Sequence, residues 1–203
     1  MNTSIARPRP ITAALVTSAA LGGALLTQSP VLAHVGHGAI GISSGLLHPI
    51  SGPDHLLAML AVGIVAAVAG TRRIAVLTPL GFLAGMVGGG VLAMNSISIA
   101  GVQLAIALSV ITLGALCVAG IRRATLLLPM AAMAFGFAHG QAHGAEVPLS
   151  ASPAAYIAGF VATSAALHLA GGLGGLALRR APQARIAAGA LISSAGIAVL
   201  FGV

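Results

Sequence analysis

Two short stretches hold most of the side chains in this sequence that can do chemistry. His48-Pro49-Ile50-Ser51-Gly52-Pro53-Asp54-His55 combines two imidazoles with a carboxylate, and His139-Gly140-Gln141-Ala142-His143-Gly144-Ala145-Glu146 does the same. Asp54 and Glu146 are the only two acidic residues in the chain, and each falls beside histidines. Imidazole nitrogen with carboxylate oxygen is a donor set for borderline divalent ions such as nickel, cobalt and zinc. On a helix His139 and His143 stand one turn apart on one face, and Glu146 continues that face. In the first stretch the Pro/Gly break must bring His48 back toward Asp54 and His55. The competing role is structural: histidines cap helices and bond to nearby carbonyls. For a lone residue such as His168 the two roles weigh about equally. Two clusters, each joined to the only acids present, point to metal handling. Asp54 is either a ligand or the partner that fixes a histidine tautomer, and Glu146 either a ligand or a residue at the mouth. Ser43, Ser44, Thr163 and Ser164 offer weaker contacts and are better placed for helix–helix hydrogen bonds.

The segments that must position these residues are apolar. The 203 residues are 58% hydrophobic and 5% charged, with a mean hydropathy of +1.08, where soluble domains carry roughly a quarter charged residues. Apolar runs of about 18 or more residues mark spanning helices. The formal charge of +7 does not point to nucleic acid, because the arginines sit in short loops without aromatic company. All nine basic residues are arginine. Without a lysine there is no Walker-A phosphate loop, so no nucleotide is expected, and transport must run down a gradient or borrow energy from another subunit. The single Cys117 excludes an intrachain disulfide and a thiolate cluster; it is expected to pack as a small apolar side chain. The scattered methionines and lone cysteine argue against a copper(I) pathway.

Residues 1–33 read as a secretory signal peptide, with Arg7 and Arg9 before an apolar core from Ile11 to Leu26 and Val31-Leu32-Ala33 at the end. Residues 34–203 then form one transmembrane domain. Cleavage after Ala33 exposes His34-Val35-Gly36-His37-Gly38, whose amine and imidazoles are candidate accessory ligands. Apolar segments follow at 39–70, 74–94, 98–120, 124–143, 153–177 and 186–203. If each crosses once, Arg72-Arg73, Arg122-Arg123 and Arg179 to Arg185 share one side. The positive-inside rule makes that side the cytoplasm and puts the mature N-terminus outside. The first segment is too long for one straight crossing, so it is expected to break or re-enter near Pro49 to Pro53. The fold class expected is therefore an all-α membrane bundle of about six spans. Three plus three spans would form an inverted repeat, with Gly45-Leu46-Leu47-His48 and Gly136-Phe137-Ala138-His139 opening the two halves. Gly81, Gly85 and Gly89 mark a close helix contact. One tyrosine and no tryptophan leave no aromatic belt.

His48 to His55 matches the HPxxGxDH signature of the HupE/UreJ family, and His139 to Glu146 resembles its HGxAHGxE motif. Length, leader and span number also fit. The resemblance implies a secondary permease for nickel or cobalt, associated with hydrogenase or urease maturation. It also implies that His48, Asp54 and His55 handle metal in the first span and that His139, His143 and Glu146 are their counterparts in the fourth.

The function expected is entry of a divalent ion from the periplasmic side, binding to histidine and carboxylate near the midplane, and release to the cytoplasm. Nickel and cobalt lead and zinc is admitted; the ion is cargo, and no prosthetic group is expected. His168 completes the site or only packs. Two rivals remain: an intramembrane metal hydrolase that activates water on zinc, and a metal-binding accessory subunit that does not transport.

Overall fold

The long first segment breaks at Gly52. In the computed structural model, which describes residues 41–69, 71–121, 125–147 and 151–202, helix α1 (Ile42–Ser51) and helix α2 (Pro53–Val68) meet at an 86° bend. Proline has no amide hydrogen for a helix interior yet suits a first turn, so Pro53 ends one helix and starts the next. Ser51 Oγ donates to the His48 carbonyl at 2.7 Å, satisfying one of the carbonyls freed at the end of α1. The leader, His34, His37 and Arg122-Arg123 lie outside the described residues.

Helices α3 (Arg72–Met94), α4 (Val102–Ala119), α5 (Leu127–Ala145), α6 (Pro153–Leu178) and α7 (Pro182–Phe201) follow, and no strand occurs among the described residues. They track the apolar segments closely. Four of them, α3, α4, α6 and α7, are long and apolar enough to cross a membrane, and the bent α1–α2 pair adds a fifth at most. The expected count of six is thus not reached on length and composition. Helix α5 is the reason: its 19 residues reach about 28 Å, but His139, Gln141, His143 and the glycines beside them lower its hydropathy.

Glycines decide which helices pair. With no hydrophobic drive between helices in lipid, association relies on close backbone approach through small residues. A Cβ on Gly85 of α3 would collide with the Met133 carbonyl of α5, and one on Gly136 of α5 with the Phe82 carbonyl of α3. The same interlock joins α1 and α2 to α6, where Gly45 faces the Tyr156 carbonyl, Gly63 that of His168, and Gly171 that of Leu60. Helices α4 and α7 meet through Gly114 and Gly189. Residue numbers rise together along the first two contacts, so α3 runs parallel to α5 and α2 to α6. In the third, Gly114 meets Gly189 while Ile111 meets Gly196, so α4 and α7 are antiparallel.

Helix α2 is central, with Ala58, Met59, Ala61 and Val62 fully buried against Phe82, Val110, Leu113, Phe160 and Ile192. Outward, Leu80, Leu104, Met130, Leu169 and Leu173 are exposed, a surface suited to lipid rather than water. The parallel pairing puts the end of α2, the starts of α3 and α5 and the end of α6 at one end of the bundle. Arg72, Arg73, Arg179 and Arg180 therefore share it. Arg185 belongs there too: it donates to the carbonyls of Cys117 and Val118 (2.7 Å to the latter) at the end of α4, as basic side chains do at helix C-termini. Cys117 is fully buried and packs as expected.

Candidate functional site

The bend at Gly52 returns His48 to His55, with ring centroids 6.3 Å apart. His143, from the last turn of α5, enters between them, 4.5 Å from His48 and 4.2 Å from His55 and edge-on to both. One nitrogen from each of the three rings lies within 4.8 Å of the others. Imidazole nitrogens bind such ions at about 2.0–2.1 Å, so modest side-chain movement would close this set around one ion.

Each acid stands behind a histidine. Asp54 Oδ2 is 3.0 Å from His55 Nδ1, and Glu146 Oε2 is 3.1 Å from His48 Nε2. A carboxylate that holds one ring nitrogen fixes the tautomer and leaves the other nitrogen for an ion. His48 is thereby left Nδ1, whereas Asp54 stands close to His55 Nδ1 without the alignment of a hydrogen bond. Asp54 sits in the first turn of α2, where the helix dipole favours an anion. Its Oδ1 folds back over Gly52, where a Cβ would come within 2.8 Å; glycine at this motif position makes room for the carboxylate. Glu146 lies just beyond the last residue of α5, with its side chain 56% exposed. The hydrogen bond from His48 holds its carboxyl below the ordinary glutamate range.

His139 lies one turn before His143, its ring 5.4 Å from that of His55. Its Nδ1 is 3.0 Å from the Phe135 carbonyl. A carbonyl only accepts, so Nδ1 carries the proton and Nε2 the lone pair. Among the described residues, that Nε2, both nitrogens of His143 and His55 Nδ1 are buried without a hydrogen-bond partner. Buried polar atoms are rarely left so, and an ion would satisfy them. All six residues of the two sequence motifs that were singled out as ligands are thus in one place.

The family model described as HupE / UreJ protein matches residues 22–199. The chain belongs to the HupE/UreJ family. Protein HupE of Rhizobium leguminosarum bv. viciae is 42% identical over 185 residues, covering 88% of this chain and 94% of that protein. No solved structure matches the chain. The family match spans both histidine motifs, so the resemblance read from those motifs and the match along the chain agree.

His168 is not part of this cluster. Its ring lies 5.3 Å from Phe82, and Phe82 lies 5.3 Å from His139 on the cluster side. His34 and His37 fall outside the described residues. Four residues that shape the HupE/UreJ site carry no metal-ligand signal in sequence. Phe160 packs 4.2 Å from His143, Tyr156 5.9 Å from His48, and Phe82 stands below His139. With five phenylalanines and one tyrosine in the whole chain, rarity is the one signal that could have marked them. Gln141, inside the second motif, donates to the Gly89 carbonyl at 3.0 Å and accepts from the Ile99 amide at 3.2 Å. It ties α5 to α3 and to the segment before α4. Thr163 donates to the Leu46 carbonyl at 2.8 Å, the helix–helix role expected of it.

Proposed function

We propose that this HupE/UreJ protein is a secondary permease that carries a divalent transition-metal ion, nickel or cobalt ahead of zinc, across a bacterial inner membrane into the cytoplasm. The observation that carries the reading is the convergence of His48, His55 and His143 from two separate motifs of the sequence, with their nitrogens within 4.8 Å of one another. The family is generally associated with nickel and cobalt transport and with hydrogenase or urease maturation. The arginine-bearing end is taken as cytoplasmic, which makes the Glu146 end periplasmic.

On this reading the ion meets Glu146 and the partly exposed His48 first, sheds water, and passes to His55 and His143, with His139 below. Asp54 and Glu146 orient the two imidazoles and supply negative charge. The membrane potential favours entry by about 2.3 kcal/mol per charge per 100 mV, roughly twice that for a divalent ion. Neither nucleotide nor prosthetic group has a part in the scheme. The helix pairing supports the inverted repeat. Exchanging the halves maps the α2–α6 pair onto the α5–α3 pair, and the antiparallel α4–α7 pair onto itself, as a twofold axis in the membrane plane requires. The match is inexact, since α2 also packs on α4 and α5 has no comparable contact with α7.

A hydrolase needs room for an organic substrate beside the metal. The cleft that His143 lines with Met86, Tyr156 and Phe160 has a volume of about 10 Å³, too little for an organic substrate on that side of the cluster. Uptake of radiolabelled nickel and cobalt into proteoliposomes tests the proposal, with His55→Ala and His143→Ala alongside the parent. Saturable uptake by the parent that is lost in both folded variants is the expected outcome. Tight binding without flux would replace the permease with an accessory metal-binding subunit.

A further inference from the structure

Among the described residues, one histidine outside the cluster is buried with no hydrogen-bond partner for its ring. His168 on α6 is 4% exposed, and neither ring nitrogen has a hydrogen-bond partner. A buried polar side chain in hydrocarbon is retained for function or finds a partner, and His168 has found none. Its ring meets Phe82 edge-on at 5.3 Å, and Phe82 in turn meets His139 at 5.3 Å. His139 leads on to His55, 5.4 Å between ring centroids. The rings therefore form one file, from His48 and Glu146 through His143, His55, His139 and Phe82 to His168.

His168 also lines a cleft of about 770 Å³ between α2, α3 and α6. The exposed Leu80, Leu169 and Leu173 flank that cleft on its lipid side, and it runs to Thr71, Arg72 and Arg179, so it reaches the arginine end of the bundle, opposite Glu146. Every member of the file except Phe82 carries a nitrogen or oxygen donor.

We infer that His168 is a second, receiving ligand for the ion on the arginine side of the central cluster, with the Phe82 ring as the partition the ion must pass. This rests on the permease reading above. The chemistry suits a release station. Three imidazoles backed by two carboxylates would hold an ion, whereas a single imidazole beside a roomy cleft would let it go, and conduction needs binding weak enough to leave. Phe82 is fully buried and offers the ion no donor, so in this conformation it separates the two stations.

The first test does not depend on transport. In a Cys117→Ala background, His168→Cys is reconstituted in vesicles of known orientation and treated with a membrane-impermeant thiol reagent from either side. Labelling from the arginine side alone is expected; labelling from the Glu146 side, or from neither, overturns the assignment. The second test compares nickel uptake with equilibrium nickel binding. His168→Ala is expected to keep the tight nickel binding of the central cluster, to lose the weaker second site, and to take nickel up slower by about tenfold or more, the scale at which loss of one metal-supporting group is felt. His55→Ala is expected to lose both tight binding and uptake. Uptake by His168→Ala equal to the parent's overturns the station and leaves the permease standing. A parent that binds nickel and takes up none removes the permease, and this inference with it.

Discussion

Glu146 Oε2 lies 3.1 Å from His48 Nε2, so the acid of the second motif holds the first histidine of the first. Asp54, by contrast, serves His55 within its own motif. The two motifs are therefore halves of a single centre, stitched together by a carboxylate from one and an imidazole from the other.

Glu146→Gln keeps the shape of the side chain and removes its charge. Nickel affinity measured by equilibrium dialysis is expected to fall by about tenfold or more, as when a partner behind a ligand is lost. Glu146→Asp keeps the charge on a shorter arm and should recover part of the loss. An unchanged affinity in the Gln variant would mean that His48 reaches the ion without Glu146.

Gly52→Ala puts a methyl group where Asp54 Oδ1 lies 2.8 Å away. The backbone there is extended, with φ −105°, so alanine itself is unstrained. The expected effect is displacement of the carboxylate from His55 and a loss of nickel affinity like that of Asp54→Asn, with little change in melting temperature. Equal losses of stability and affinity would instead mark Gly52 as a folding residue.

Helix packing separates two neighbouring glycines. Gly85→Leu drives a side chain into the Met133 backbone and is expected to destabilise the detergent-solubilised protein by several kcal/mol, beyond ordinary overpacking of about 1–3 kcal/mol. Gly88 has nothing within 4 Å of its would-be Cβ. Gly88→Ala should be neutral or stabilising by about 0.5–1 kcal/mol, because alanine suits a helix interior better. Thermal unfolding followed by circular dichroism distinguishes the two.

Gln141→Leu leaves the Gly89 carbonyl and the Ile99 amide without their side-chain partner. A stability loss of about 1–3 kcal/mol is expected from stranding such groups. Because the Gln141 amide bonds to Gly89 and Ile99 and not to a ring of the cluster, nickel affinity in the folded fraction should stay near the parent's. An affinity loss larger than the stability loss would place Gln141 in the site itself.

Much of this was legible in sequence, and the remainder has a physical reason for being hidden. The break near Pro53, the shared end of the described arginines and the glycine contact on α3 all follow from local chemistry: proline lacks a donor, charge avoids lipid, small residues admit a neighbour. Helix α5 was harder, because the polar groups that make it functional also dilute its hydropathy. Which rings face one another was not legible at all. A helix that is apolar all round carries no stripe to show its inward face, so nothing in the order of residues sets Phe82 between His139 and His168. That placement comes from α3 and α5 running parallel, a tertiary fact.

The glycine interlocks have one more consequence. Helices α1 and α2 pack backbone to backbone on α6, and α3 on α5. His48, Asp54 and His55 therefore sit on one closely packed body, and His139, His143 and Glu146 on the other. The seam between the bodies runs through the centre of the ligand set. On the proposed reading, an ion there would be a clasp, gripped only while the two bodies are together, and their parting would by itself dismantle the binding site.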